Sequence, residues 1–157
     1  MSEITHSYGR CTITTPNKDS LEKLLLLMTL RYHNKEYNIK IVELANKGYY
    51  NDLQPDYPLI DEFVRKHFNI EENNITFDIE ATSRYTFDDN AKSLLQEILN
   101  YNYQYYILNT YRDKLIKEHI KIELDVEEVR LVDGLSWQTN YTITSHNKEY
   151  TCTISER

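Results

Sequence analysis

The feature that most constrains this chain is a strict alternation of apolar and charged residues that begins at Ile120. Apolar residues occupy the even positions from 120 to 126, and charged residues occupy the odd positions from 121 to 127. Successive side chains of a β-strand point to opposite faces, so this pattern predicts a strand with one buried face and one solvated face.

The sequence after this strand predicts two further strands joined by short turns. Residues 137–143 alternate in the same way, and a final β-prone segment covers residues 150–154. Asp133-Gly134 is a hairpin signal, and residues 145–148 form a second turn signal. The C-terminal third is therefore predicted to be an antiparallel meander.

The part of the chain before Ile120 is predicted to alternate strands and helices. Residues 8–14 are β-prone, and Asp19 or Ser20 is then expected to cap a helix with leucines at helical spacing. Residues 75–80 alternate as a half-buried strand, and a helix is expected to begin at Asp88.

Two segments allow less direct assignments. Residues 35–47 fit a helical stripe, which is the favoured interpretation, although Ile39 and Ile41 also alternate as in a strand. Residues 54–58 are expected to form a turn that leads into a short helix reaching His67.

A tyrosine-rich segment, residues 100–111, contains five of the fourteen tyrosines and no basic residue. Without Lys or Arg it lacks the charge that base-stacking surfaces need. The favoured interpretation is that the helix from Asp88 continues to about His119, with one stripe packed on the sheet. The rings outside that stripe would then be displayed to a partner: Tyr103, Tyr106 and Tyr111.

The alternative is that Tyr101, Tyr103 and Tyr105 alternate in an extended segment. In that case Asn109-Thr110 would cap a new helix.

Together these elements predict an α+β fold in one domain, residues 1–157: an antiparallel sheet with a C-terminal β-meander and helices packed on one face. The order strand, helix, strand, helix, strands resembles a ferredoxin-like sandwich.

The motifs of common enzymes and cofactor sites are absent from the sequence. With only three glycines, Gly9, Gly48 and Gly134, the glycine-rich loops that cradle phosphates cannot be built. The five histidines and two cysteines lack metal-ligand spacing, so neither a metal nor a cofactor is predicted. Cys11 and Cys152 are expected to be reduced thiols.

The formal net charge of −7 disfavours general binding to nucleic acid or to anionic membranes, because both require Lys and Arg. The N-terminal residues lack the pattern of a signal peptide, and the apolar run at Leu24–Met28 is too short to span a membrane. These features predict a cytoplasmic protein whose partners are basic.

The most organised polar feature is a row of carboxylates on the predicted strand from Ile120. Same-face residues of a strand lie about 6.6–6.8 Å apart, close to twice the advance of about 3.4 Å per phosphate in DNA. If the strand at 75–80 joins the same sheet, five carboxylates share one face, with Lys121 as the main positive charge. They are Glu123, Asp125, Glu127, Asp78 and Glu80. The alternative is that they form an ordinary solvated face.

These observations favour a non-enzymatic protein-binding module that occupies a basic, nucleic-acid-binding surface of a host protein. Small size, acidity and an AT-rich bias resemble proteins encoded by phages or mobile elements, among them anti-CRISPR and other DNA-mimicking inhibitors.

Two alternatives stay open. One is a motif-free, hydrolase-like enzyme in which His119 or His67 meets a carboxylate in a deep pocket. The other is a homodimer with a self-complementary tyrosine face.

Overall fold

The structure is a computed structural model that describes residues 4–33, 39–49 and 57–156. Helices and strands are interspersed along the first part of the described chain, and the last three elements are strands. The strands are β1 (Ile4–Thr14), β2 (Ile39–Ile41), β3 (Asn74–Arg84), β4 (Ile120–Arg130), β5 (Ser136–His146) and β6 (Glu149–Glu156). The helices are α1 (Lys18–Arg31), α2 (Val42–Asn46), α3 (Tyr57–His67), α4 (Asp88–Leu99) and α5 (Tyr106–Ile116).

The strands form one sheet in the order β2-β3-β1-β4-β5-β6, and all neighbours are antiparallel. β3 lies between β1 and β2, and β1 lies between β3 and β4. The first four strands therefore have the split βαβ arrangement of a ferredoxin-like sandwich, to which β5 and β6 add a hairpin. The predicted α+β class, antiparallel sheet and C-terminal meander are confirmed.

Helices cover one face of the sheet, and the other face is open. The covered face carries the core: Cys11 and Ile13 of β1, with Ile122 and Leu124 of β4, are almost completely buried. In β4 the alternation of buried and solvated positions from Ile120 follows the alternation seen in the sequence. None of the helices in the described part of the chain is long and apolar enough to cross a membrane.

The covered face also contains a fully buried carboxylate, Glu128. Its Oε1 accepts from the backbone N–H of Phe87 at 2.7 Å, and its Oε2 accepts from the indole of Trp137 at 3.0 Å and the hydroxyl of Thr139 at 2.8 Å. The Tyr141 hydroxyl lies 3.0 Å from the same Oε2. Glu128 thereby joins β4 and β5 to the start of α4, and its burial is compatible with stability because its oxygens are bonded.

Tyr141 is expected to make the stability of the protein sensitive to alkaline pH. Its hydroxyl also contacts Asp88 Oδ1 at 2.6 Å. Burial, then the hydrogen bond to Asp88 and the charge of Glu128, raise the pKa of Tyr141 well above its ordinary value. In the unfolded chain a tyrosine deprotonates above about pH 10, whereas the folded protein holds Tyr141 neutral. The free energy of unfolding should be unaffected by this group below about pH 10 and should fall as pH rises further.

Chemical denaturation at about pH 8 and about pH 10.5 measures this effect. The fall in unfolding free energy between the two conditions should be smaller in Tyr141→Phe than in the wild type. A residual fall is expected, since burial also raises the pKa of Tyr32 and Tyr103. An equal fall in both proteins would contradict the assignment.

The tyrosine-rich segment does not continue the helix, so the predicted long helix is wrong. α4 ends at Leu99, residues 101–105 form no regular secondary structure, and α5 begins at Tyr106. The side chain of Asn109 accepts from the Tyr103 N–H at 2.7 Å and donates to the Tyr103 carbonyl at 3.0 Å. These bonds replace helical ones. A new helix does follow, as in the alternative prediction, but it begins at Tyr106 and Asn109-Thr110 lie within it, and Tyr103 is buried whereas Tyr101 and Tyr105 are exposed.

Residues 39–41 form β2, which corrects the helix favoured for residues 35–47. Ile39 and Ile41 are buried because they pair with Ala81 and Ile79 of β3. Only Val42–Asn46 is helical, and residues 35–38 lie outside the described residues.

The start of α1 also differs from prediction. Its cap is Asn17, whose side chain accepts from the Ser20 N–H at 2.9 Å, and Asp19 and Ser20 belong to the helix itself. Of the turn predicted at residues 54–58, residues 54–56 lie outside the described residues. The helix expected to reach His67 is present as α3.

Candidate protein-binding face

The open face of the sheet carries the five carboxylates that the sequence singled out. Asp78 and Glu80 lie on β3, and Glu123, Asp125 and Glu127 lie on β4. Asp78, Glu123 and Glu127 are exposed, whereas Glu80 and Asp125 are half-buried. The predicted placement on one outer face is therefore correct.

The two carboxylate columns are separated by β1. Neighbouring strands lie about 4.8 Å apart, so the columns are about 10 Å apart. Arg10 of β1 pairs with Asp78 on one side and with Asp125 on the other. Two residues earlier, Tyr8 pairs with Glu80 and Glu127 in the same manner.

Arg10 corrects the expectation that Lys121 is the main positive charge on this face. Lys121 does contact Glu123, with Nζ and Oε1 3.2 Å apart. Lys40 of β2 pairs with Glu80 at the far side of the sheet. Positive charges therefore lie among the carboxylates of this face, unlike the uniformly negative backbone of DNA.

Tyr8 is the aromatic residue of this face, and the sequence analysis did not identify it. Its side chain is 49% exposed, and its ring stacks on that of His6 with centroids 6.2 Å apart. The sequence does indicate that Tyr8, Arg10 and Thr12 lie on one face of β1, because residues two apart in a strand point the same way. It was missed because the pairing of β1 with both β3 and β4 is a long-range contact.

The three tyrosines predicted to be displayed differ widely in exposure. Tyr103 is buried, and its hydroxyl donates to the Ile98 carbonyl at 2.7 Å, so the prediction of a displayed ring is wrong. Tyr111 is partly buried against the core, with Lys23 Nζ 4.9 Å from its ring centroid. Tyr106 is 85% exposed.

Tyr106 and the carboxylates do not form one surface. Tyr106 begins α5, which packs against α1 and α4 in the helical layer. The carboxylates lie on the opposite face of the sheet. A partner on the open face therefore contacts Tyr8, and the tyrosines of residues 101–111 belong to a separate surface.

No family model, curated protein or solved structure matches the chain.

A groove at one end of the sheet is lined by both histidine and carboxylate side chains, as expected for the enzyme alternative. His119, His146 and Glu149 line this groove, which has a volume of about 530 Å³. The two imidazole rings stack on each other, with centroids 3.5 Å apart, and His146 Nε2 lies 3.1 Å from the Asn147 side-chain nitrogen. The two imidazole rings therefore contact each other, and that of His146 also contacts the Asn147 amide. His67 packs on the ring of Phe63 in α3.

The remaining candidates for reactive or metal-binding groups are the cysteines. Cys11 is fully buried in β1, and burial raises the pKa of its thiol. Cys152 is half-buried in β6 and is also a free thiol. Within the three described ranges, no three His, Cys, Asp or Glu side chains are grouped so that they could hold a metal ion.

Proposed function

We propose that this protein is a non-enzymatic protein-binding module whose open sheet face occupies a basic surface of a host protein. The observation that carries the proposal is the central pair Tyr8 and Arg10, flanked on both sides by carboxylates. Tyr and Arg are enriched among residues that dominate binding energy, and they are most effective near the centre of an interface.

The flanking carboxylates supply the selectivity for a basic partner. Five carboxylates on one face attract Lys and Arg side chains and accelerate association. The cation between the columns fits a protein surface that carries acidic as well as basic groups. An inhibitor that blocks a nucleic-acid-binding groove, as anti-CRISPR proteins from phages do, is the specific form of this proposal.

Binding should depend on the β4 carboxylates and on salt. We expect the triple variant Glu123→Gln, Asp125→Asn, Glu127→Gln to lose on the order of tenfold or more in affinity for its partner, because each close charge pair contributes about 1 kcal/mol or more. The measurement is capture of host proteins on immobilised wild type and variant at low and high salt. Raising the salt should release the partner from the wild type.

The matched control is Tyr106→Ala, which removes an exposed ring from the helical layer and leaves the open face unchanged. It should retain the same host protein as the wild type. Duplex DNA added as competitor should displace the partner if the occupied surface is a nucleic-acid groove. If the triple variant still captures the host protein but Tyr106→Ala does not, the open-face proposal is refuted, and the surface around Tyr106 is the binding site.

A further inference from the structure

The strand β6 forms an edge of the described sheet, with β5 as its neighbour on one side. The turn before it consists of Asn147 and Lys148, both with positive φ, 49° and 67°. In such two-residue turns the flanking residues, His146 and Glu149, are a hydrogen-bonded pair. Hydrogen-bonded and non-bonded positions alternate along a strand, so positions 150, 152 and 154 direct their backbone N–H and C=O groups to the open edge.

This edge lacks the features that normally prevent pairing between sheets. Natural edge strands are kept short or carry Lys, Pro or a bulge. At the opposite edge, β2 has three residues and contains Lys40. By contrast, β6 has eight residues, and positions 150–155 read Tyr-Thr-Cys-Thr-Ile-Ser, without charge, glycine or proline.

The apolar side of β6 is only half covered. Tyr150, Cys152 and Ile154 pack against the core and are all half-buried. They pair with Ser145, Ile143 and Tyr141 of β5 on one side. On the other side their apolar surface ends at the edge, where a further strand would bury it.

We propose that β6 pairs with β6 of a second copy of this chain, antiparallel and about a two-fold axis at Cys152. This register sets Tyr150 opposite Ile154 of the second copy and Thr151 opposite Thr153 of the second copy. Aromatic and β-branched residues, and pairs of threonines, are favourable partners across antiparallel strands. Positions 148 and 156, a lysine and a glutamate in the sequence, also oppose each other.

Neighbouring registers are less complementary. With the axis at Thr153, Tyr150 opposes position 156, and with the axis at Thr151, Ile154 opposes Lys148 of the turn. The axis at Cys152 alone keeps the three apolar residues against one another. Since the interface is the same patch on both copies, pairing stops at two copies and does not continue into a filament.

The dimer extends the proposed function without depending on it. A two-fold axis perpendicular to the sheet keeps both open faces on the same side of one continuous sheet. Two copies of the Tyr8 and Arg10 surface would then act on a partner that offers two basic sites, which increases avidity.

Charge substitutions on the solvated side of β6 test the pairing. Thr151 and Thr153 are exposed, so both accept charged side chains in one copy. Thr151→Lys with Thr153→Lys sets lysine against lysine in the dimer, and Thr151→Lys with Thr153→Glu sets lysine against glutamate. We expect the first variant to have a dimer dissociation constant on the order of tenfold higher than the second. Sedimentation or light scattering across a concentration series of the full chain measures it.

Native Cys152 reports the register. In the proposed pair the two Cα atoms are about 5.5 Å apart, a separation that a disulfide spans. Mild oxidation should give a covalent dimer for the wild type and for Cys11→Ser, and none for Cys152→Ser.

Wild-type protein that is monomeric at all concentrations would overturn the proposal. Equal dimerisation of the lysine–lysine and lysine–glutamate variants would also overturn it. Loss of the dimer in Tyr106→Ala, but not in the variant with Thr151→Lys and Thr153→Lys, would assign dimerisation to the surface around Tyr106.

Discussion

Glu128→Ala is expected to lower the free energy of unfolding by about 3–5 kcal/mol, because each buried donor left without an acceptor costs about 1–3 kcal/mol. The substitution removes the acceptor for the Phe87 N–H, the Trp137 indole and the Thr139 hydroxyl at once. It also leaves a cavity on the covered face, beside the buried Phe87 and Thr139. Urea denaturation followed by tryptophan fluorescence measures the change, since Trp137 is the single tryptophan of the chain.

The matched control for this prediction is the adjacent residue. Glu127 carries the same side chain, but it is exposed on the open face of β4. Glu127→Ala should change stability by less than about 0.5 kcal/mol. Glu128→Gln should fall between the two, since it keeps one oxygen acceptor and sets an N–H₂ group against the remaining donors. Equal stability of Glu127→Ala and Glu128→Ala would show that the buried hydrogen bonds of Glu128 contribute little.

Gly9→Ala is the second substitution with a large expected effect. A Cβ built at Gly9 would lie 2.7 Å from Val126 Cα and 2.8 Å from the carbonyl carbon of Asp125, and closer still to the Asp125 oxygen. All three atoms are backbone, so the methyl group cannot be accommodated by rotating a side chain. β1 and β4 must separate locally, at an expected cost of about 3 kcal/mol.

Thermal or chemical denaturation of Gly9→Ala beside Ser7→Ala tests this argument. Ser7 is the preceding residue on the covered side of β1 and is fully buried, and its Oγ has no hydrogen-bond partner among the residues that the structure describes. Removing that hydroxyl should be neutral or slightly stabilising, since no bond is lost. Because Gly9 lies between Tyr8 and Arg10, Gly9→Ala should also weaken partner binding. A Gly9→Ala protein as stable as Ser7→Ala would contradict the close approach of β1 and β4.

Much of the fold could be predicted because its signals are local. The alternation from Ile120 identified both the strand and the side that is buried, and the helix from Asp88 buries the predicted Ala91, Leu94, Leu95 and Ile98. The acidic face was likewise predictable, since a period of two assigns Glu123, Asp125 and Glu127 to one side whatever the neighbouring strands are.

Predictions failed where a side chain far along the chain, or a bond specific to one residue, decided the outcome. The helix after Asp88 was predicted to continue because tyrosines fit a helical stripe, yet residues 101–105 are not helical. The Asn109 side chain accepts from the Tyr103 N–H and donates to the Tyr103 carbonyl, in place of helical hydrogen bonds. Residues 39–41 were predicted to be helical, yet pairing with β3 makes them a strand, as tertiary contacts commonly override a weak local preference.

The sequence by itself determined which residues of each strand face water, because side-chain alternation is a property of the extended backbone. Only the tertiary structure decided that β1 lies between the two acidic strands, which sets Arg10 and Tyr8 among the carboxylates. It also decided that Phe87, Trp137 and Thr139 converge on Glu128, a charged residue on the covered side of β4. Both outcomes depend on which strands pair and which face the helices cover. The pairing of β1 with β4 joins residues more than a hundred positions apart, beyond the reach of any local pattern.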